Sequence, residues 1–399
     1  MSGGEAIAAR PARGSRLRFW RDARSRALLL QVLFGLAFLV LAALAVLDLR
    51  ANMQARGIPT DFSFLGQTAG FDINQTLIPY SASSTYGRAF LVGLLNTLAV
   101  CAVGLVCATF VGFAVGFARL SDNWIVGRCA LAYVELARNT PLLLQLLFWH
   151  NAVLKPLPSP RESLALPFGM FLNNRGLFAP APSFAPSAAF VAAACLAALL
   201  ILYGLRRTPR RVMFARPWRA VGGGVMTAFA LCLPLAAFVG ADDPVAFSNP
   251  ELKGFNFVGG LRVLPEFVAL ALGLSLYTGA FIAEIVRAGI EAVPQGQREA
   301  ATALGLSGRQ TSRLVVTPQA MRLIVPLLTS QYLNLVKNSS LAVFIGYPDL
   351  VQVFAGTVLN QTGAAVQAVA ITMAVYLAIS LFASLVMNLY GRRHTLKER

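Results

Sequence analysis

"EAVPQGQREAATALGLSGRQ", residues 291–310, is a polar, alanine-rich stretch set between two apolar runs. Its punctuation is that of two short helices. Pro294 suits the first turn of a helix, where a missing N–H costs nothing. Gln295–Leu304 consists mostly of good helix formers, Gly296 excepted, and Gly305 falls where a left-handed C′ residue closes such a helix. Ser307, with Gln310 three residues on, forms the S-x-x-Q capping box of a second short helix. Thr317–Pro318 repeats the logic as N-cap and first helical residue of the apolar run that follows. The order expected is helix, tight turn, helix, turn, span. The small residues Ala300, Ala301 and Ala303 suit the close approach of another protein; an ordinary helical surface loop is the plainer alternative.

Around this hairpin the chain is lipid-like. Of its 399 residues, 57 % are hydrophobic and 13 % charged, against about 25 % charged in soluble domains. A bilayer-crossing helix takes about 20 mostly apolar residues. Runs of that kind are Ala27–Leu47, Ala89–Ala118, Cys129 to near Val153 (with Glu135 and Arg138 inside), Ser187–Leu205, Ala220–Ala241, Phe267–Ala283 with extensions at both ends, Leu323–Ile345 (with Pro326 and Lys337 inside) and Val366–Tyr390. The reading is an all-α membrane protein of about eight transmembrane helices.

The net charge of +17, carried almost wholly by Arg, fits either nucleic acid or the anionic inner face of a membrane. Position decides. With eight spans and a cytoplasmic N-terminus, the inside segments hold a roughly threefold excess of basic residues over the outside ones. This places both termini and the 291–310 hairpin in the cytoplasm and argues against nucleic acid. The outside segments 50–88 and 155–186 are rich in Pro, Gly, Ser and aromatic residues and read as short surface segments. The run from Ala27 is too long for a cleavable signal peptide and lacks a small-residue cleavage site. Cys101, Cys107, Cys129, Cys195 and Cys232 lie in or beside apolar runs, fit no zinc or disulfide spacing, and read as buried small hydrophobes. His150 and His394 fall on opposite sides, so no metal or nucleophile cluster supports a membrane enzyme, and no cofactor is expected. Trp149 and His150 read as interfacial anchors.

Ionisable residues inside a bilayer are costly and usually face the bundle interior or a cavity. Four stand out: Glu135, Arg138, Glu284 and Lys337. Glu135 and Arg138 are i, i+3 neighbours that can pair with each other. Lys337 lies in "VKNSS", where an interrupted helix would offer backbone dipoles to a zwitterion's carboxylate on a translocation path. Glu284 and Arg287 end the sixth run and are placed to brace the hairpin.

Glu299-Ala300-Ala301, three residues, Gly305, nine residues, then Val315-x-x-Pro318 resembles the "EAA" loop of ABC importer permeases, with Thr317 as the position that departs from that pattern. "GLLNTLAV" (93–100), "YVELARNTPLLLQLLFWH" (133–150), "AEIVRAGIEAVPQGQREAATALGLS" (283–307) and "PQAMRLIVPLLTSQYLNLVKNSSLA" (318–342) resemble the polar amino-acid uptake branch of that family. The long first span and an inserted two-span segment at about 154–262 resemble the permeases of the general L-amino-acid and glutamate/glutamine/aspartate/asparagine systems. The resemblance implies an ABC type I importer-like permease core. It divides the chain into a basic cytoplasmic N-terminus (1–26), a first span with its periplasmic loop (27–88), a permease domain (89–390) and a cytoplasmic tail (391–399).

It further implies a multi-pass protein of the bacterial inner membrane. Its partners would be cytoplasmic ATP-binding subunits, a second permease subunit of different sequence and a periplasmic amino-acid-binding protein. Glu299, Ala300, Ala301, Gly305 and Pro318 would then belong to a coupling helix seated on the ATPase. The chain has no P-loop of its own: Lys155, Lys253, Lys337 and Lys397 are its lysines, and none follows a glycine. A stand-alone ion-coupled amino-acid transporter or channel is the alternative, for which inverted repeats would be expected.

Overall fold

A computed structural model describes residues 23–55, 61–184 and 245–392. The fourth and fifth apolar runs, residues 1–22 of the basic N-terminus and the tail from 393 lie outside the described residues. Helix α1 spans Ala23–Ala55 and α2 spans Tyr86–Ala118. The apolar window of α1 is wholly unburied by the rest of the chain, as befits a helix whose hydrophobic surface is met by lipid or another chain. Thr85 caps α2, its Oγ1 accepting from the Arg88 N–H at 3.3 Å.

Helix α3, Trp124–Asn139, starts at Asn123, whose Oδ1 accepts from the N–H groups of Ile125 and Val126. It does not run on as the single third span expected. Thr140 precedes Pro141 and is extended (φ −100°, ψ 130°), because a residue before proline is driven out of the α region. The chain restarts as α4, Leu142–Leu147, and continues in a π-helical turn, Phe148–Leu154. Gln145 Nε2 closes the break by donating to the carbonyls of Ala137 (2.9 Å) and Thr140 (3.1 Å). His150 is buried in that turn and Trp149 packs against the core, so neither is a plain interfacial anchor.

Among the described residues eight short strands follow, which the hydrophobic pattern does not announce. They are β1 (Leu164–Leu166), β2 (Met170–Asn173), β3 (Gly176–Ala179), β4 (Ala181–Phe184), β5 (Val245–Ser248), β6 (Glu251–Lys253), β7 (Asn256–Val258) and β8 (Leu261–Val263). An antiparallel sheet runs β1-β2-β3-β8, with Leu177 opposite Val263. Strand β4 pairs with β5, Ala181 opposite Ser248. The chain before residue 185 and the chain after residue 244 are therefore zipped together by two antiparallel pairings. Phe257 of β7 stacks on Phe171 at 4.8 Å and reaches Phe178 at 5.0 Å, fixing the β6–β7 hairpin on the sheet.

Strand β8 leads into α5, Pro265–Glu291, the axis of the bundle. Its contact with α2 is set by glycine. A Cβ on Gly112 would lie 2.4 Å from Ile282 Cγ2, and one on Gly116 would lie 2.8 Å from Val286 Cβ. Only the missing side chains let the two backbones approach this closely. Tyr133 of α3 donates to the Leu276 carbonyl at 2.6 Å. The chain then passes through α6 (Gln295–Ala303) and α7 (Gly308–Thr311) into α8, Thr317–Asn338. A 3₁₀ segment, Ser339–Ile345, and a π-helical segment, Val351–Val358, precede α9 (Leu359–Thr362) and α10 (Ala365–Arg392).

Among the described residues four helices are long and apolar enough to cross a membrane: α1, α2, α5 and α10. The third run is split, and α8 carries Arg322, Asn334 and Lys337 along its length. Of the cysteines, Cys101 is buried as expected, whereas Cys107 and Cys129 are exposed on the outside of the chain.

Candidate functional site

The hairpin between α5 and α8 closes much as its sequence suggests. Helix α6 begins one residue after Pro294, which takes the N-cap position with φ −55° and ψ 138°. At its far end Gly305 is left-handed, φ +76°. The Gly305 N–H donates to the Thr302 carbonyl at 2.9 Å and the Leu306 N–H to the Ala301 carbonyl at 3.1 Å. That pair of bonds is the Schellman closure of a helix. Ser307 and Gln310 form a reciprocal capping box: the Ser307 N–H donates to Gln310 Oε1 at 2.9 Å, and the Gln310 N–H to Ser307 Oγ at 3.4 Å.

The second turn is absent. Thr317 is helical and is not an N-cap. Pro318 has no N–H to give to the carbonyl four residues back. The chain absorbs the loss with a π-helical turn, Ser312–Val316, in which the Thr317 N–H reaches five residues back to the Ser312 carbonyl. Residues 308–338 are thus one helical rod with a π turn near its base.

The alanines divide between two faces. Ala301 is 3 % exposed and lets α6 settle onto the π turn, while Glu299, Ala300 and Ala303 are exposed. Leu304 at the tip is 81 % exposed, an apolar side chain in solvent that the alanine pattern did not single out. Arg298 Nη2 donates to the Ile290 carbonyl at 3.1 Å, tying α6 to the end of α5. Gln319 Nε2 donates to Gln297 Oε1 at 3.3 Å, tying it to α8.

Beneath the hairpin sits an ion-pair relay. The Glu284 carboxylate receives Arg119 from the C-terminus of α2 and Arg287 from its own helix, and Arg287 also reaches Glu291. Arg119 belongs to no motif in the sequence; only the α2–α5 packing brings it here. The Glu135–Arg138 pair does not form. Glu135 accepts from Asn139 Nδ2 at 3.0 Å, and the Arg138 guanidinium lies 5.2 Å from the centre of the Phe281 ring. Tertiary contact with α5 wins over the local i, i+3 pairing. Lys337 is exposed in the last turn of α8, where the helix tightens to 3₁₀ rather than unwinding. These residues are not gathered into one cluster: Glu284 is in the relay, Arg138 stands beside it, and Lys337 is elsewhere.

A buried polar knot lies toward the other end of the bundle. Asn96 Nδ2 donates to the carbonyls of Gln75 (2.9 Å) and Pro348 (2.8 Å). The Leu350 N–H donates to Thr97 Oγ1 at 3.0 Å, and Tyr347 Oη to the Asn96 carbonyl at 3.2 Å. Asp349 accepts from the Gln352 N–H at 2.8 Å and from Tyr376 Oη at 3.2 Å. "GLLNT" is thus the segment of α2 that holds the 347–350 turn. The partners are some 250 residues apart in sequence, and no local pattern announces them.

Comparison with known proteins gives a consistent result. The family model described as binding-protein-dependent transport system inner membrane component matches residues 104–395. The chain is 47 % identical over 374 residues to YhdX of Escherichia coli K12, whose name describes an amino-acid ABC transporter permease protein, covering 94 % of this chain and 95 % of that one. It is 48 % identical over 352 residues to AapQ, the general L-amino acid transport system permease protein of Rhizobium johnstonii, covering 87 % of each. It is 40 % identical over 409 aligned residues to BztB, the glutamate/glutamine/aspartate/asparagine transport system permease protein of Rhodobacter capsulatus, covering 95 % of this chain and 96 % of that one. Coverage that high leaves too few unmatched residues to omit 154–262, so these relatives have a counterpart of that region.

Proposed function

The chain belongs to the family of binding-protein-dependent transport system inner membrane components, and from that premise we propose that it is the permease subunit through which polar L-amino acids cross the inner membrane. It is a membrane permease subunit of an ABC importer and not itself an enzyme. Its family works with ATP-binding subunits and solute-binding proteins. On this reading the termini and the hairpin face the cytoplasm, residues 89–390 form the permease domain with 154–262 inserted, and the second permease is a different chain.

The observation that carries the reading is the hairpin. A free loop would dissipate a push. This one is capped on both sides of its turn, bonded to α5 through Arg298 and to α8 through Gln319, and anchored over the Arg119–Glu284–Arg287–Glu291 relay. Glu299, Ala300 and Leu304 present the outer face, Ala301 and Gly305 shape it, and Pro318 sets the π turn at the base of α8. We assign this face to the ATP-binding subunit. Closure of the ATPase pair would move the hairpin as a solid body and bias one of two arrangements of α2, α5 and α8. Glu284 and Arg138 brace this lever, and Lys337 is left as the residue placed for the path or for the second permease.

The test is uptake by the reconstituted importer. Glu299→Lys is expected to abolish ATP-dependent amino-acid uptake while membrane insertion stays normal. Unchanged uptake removes the coupling role from this face.

A further inference from the structure

The end of α5 opposite the hairpin carries a second site. Twenty-seven residues of helix separate Pro265 from Glu291, roughly 40 Å at 1.5 Å per residue, so the two features lie on opposite sides of the bilayer. At the Pro265 end the loop at 71–74, the β2–β3 turn, β8 and the turn from Gly346 to Gln352 line a half-open cavity of about 450 Å³. That volume is within the roughly 300–1,000 Å³ typical of small-molecule sites.

Four charged side chains line it: Asp72, Arg175, Arg262 and Glu266. None is spent on another, since the ion pairs among the described residues all lie elsewhere. Arg262 is held in place by its own edge of the sheet. Its Nε and Nη2 each approach the Arg175 carbonyl at 3.3 Å, and its guanidinium carbon stands 5.9 Å from the centre of the Phe178 ring. The floor includes Pro348 and Gln352, so it is part of the turn that Asn96 and Thr97 tie to α2.

Two cations and two anions around one polar cavity, not neutralising one another, select against simple ions. An inorganic anion meets Asp72 and Glu266; a metal ion meets two arginines. A small molecule with one carboxylate and one ammonium group satisfies both signs. We propose that this cavity is an outer reception site for a zwitterionic amino acid, with Arg175 and Arg262 on the carboxylate and Asp72 and Glu266 on the ammonium. The proposal rests on the transport reading above. It assigns a role to the inserted segment, because both arginines come from its flanks, which the β3–β8 pairing brings together.

The experiment is binding of radiolabelled L-glutamine to the purified importer complex without its solute-binding protein. Wild type is expected to bind saturably. Arg175→Gln with Arg262→Gln, and separately Asp72→Asn on an exposed loop side chain, are each expected to weaken binding at least tenfold. Acetate and tetramethylammonium, each carrying one charge alone, are expected not to compete. Absence of saturable binding, or binding that survives both variants, overturns the proposal. Docking of the solute-binding protein to the same variants is measured in parallel, and a loss confined to that docking also overturns the proposal, because it makes the cavity a protein interface. ATP-dependent uptake by the same complex once the solute-binding protein is added back separates the two readings: uptake without cavity binding sinks this site alone, and no uptake at all sinks the transport reading.

Discussion

Arg119, at the C-terminal end of α2, forms an ion pair with Glu284 of α5, directly below the hairpin. The two are 165 residues apart in sequence. Their side chains are 14 % and 27 % exposed, so the pair is partly shielded from water and screened less than a surface pair. It makes the base of the hairpin a junction of two spans rather than the end of one.

Arg119→Ala should cost about 1.5–3 kcal/mol, the usual worth of a hydrogen bond to a charged group. Thermal unfolding of the detergent-solubilised protein reads this as a lowered midpoint. Arg119→Lys, which keeps the charge beside Glu284, should recover part of it, whereas Arg119→Met, which keeps only the bulk, should not.

Gly305 separates backbone geometry from contact. Nothing lies within 4 Å of a Cβ built there, yet its φ is +76°. Asn tolerates the left-handed region far better than a β-branched residue does. Gly305→Asn should keep most uptake, and Gly305→Val should lose it, with both proteins at normal membrane levels. Equal behaviour of the two variants would refute a role for the turn.

Gly112 should be intolerant for the opposite reason. A Cβ there meets Ile282 at 2.4 Å, and overpacking of this kind costs about 1–3 kcal/mol. Gly112→Ala should lower the yield of monodisperse protein in size-exclusion chromatography, and Ile282→Ala in the same chain should restore it.

Leu304 should matter to assembly and not to folding. Its side chain is 81 % exposed, so Leu304→Asp removes no internal contact. The expected result is an unchanged unfolding midpoint with at least tenfold weaker association of the ATP-binding subunit.

The hairpin was legible in the sequence because caps are local. Ser307 and Gln310 are three residues apart, and Gly305 needs only its own φ. The family was legible for the same reason, through motifs of fixed spacing. What escaped was set by distance. The strands are three or four residues long, and β3 finds β8 more than 80 residues away, so no run of alternating hydrophobicity marks them. Arg119 meets Glu284, and Asn96 meets Pro348, only because the glycines of α2 let α5 come close and the 347–350 turn folds back. Two local signals were readable but outweighed. The apolar composition of 129–153 hid the stop at Thr140–Pro141, and the cap-like pair Thr317–Pro318 yielded to a π turn that keeps α7 and α8 in one rod.

The most direct measurement is amino-acid uptake into proteoliposomes holding the complete importer, with ATP available to the ATP-binding subunits. Uptake should require both ATP and the solute-binding protein, and Glu299→Lys together with Leu304→Asp should abolish it while the chain stays correctly inserted. Transport of amino acids by this chain without an ATP-binding partner, or transport that is indifferent to the two hairpin substitutions, would contradict the account.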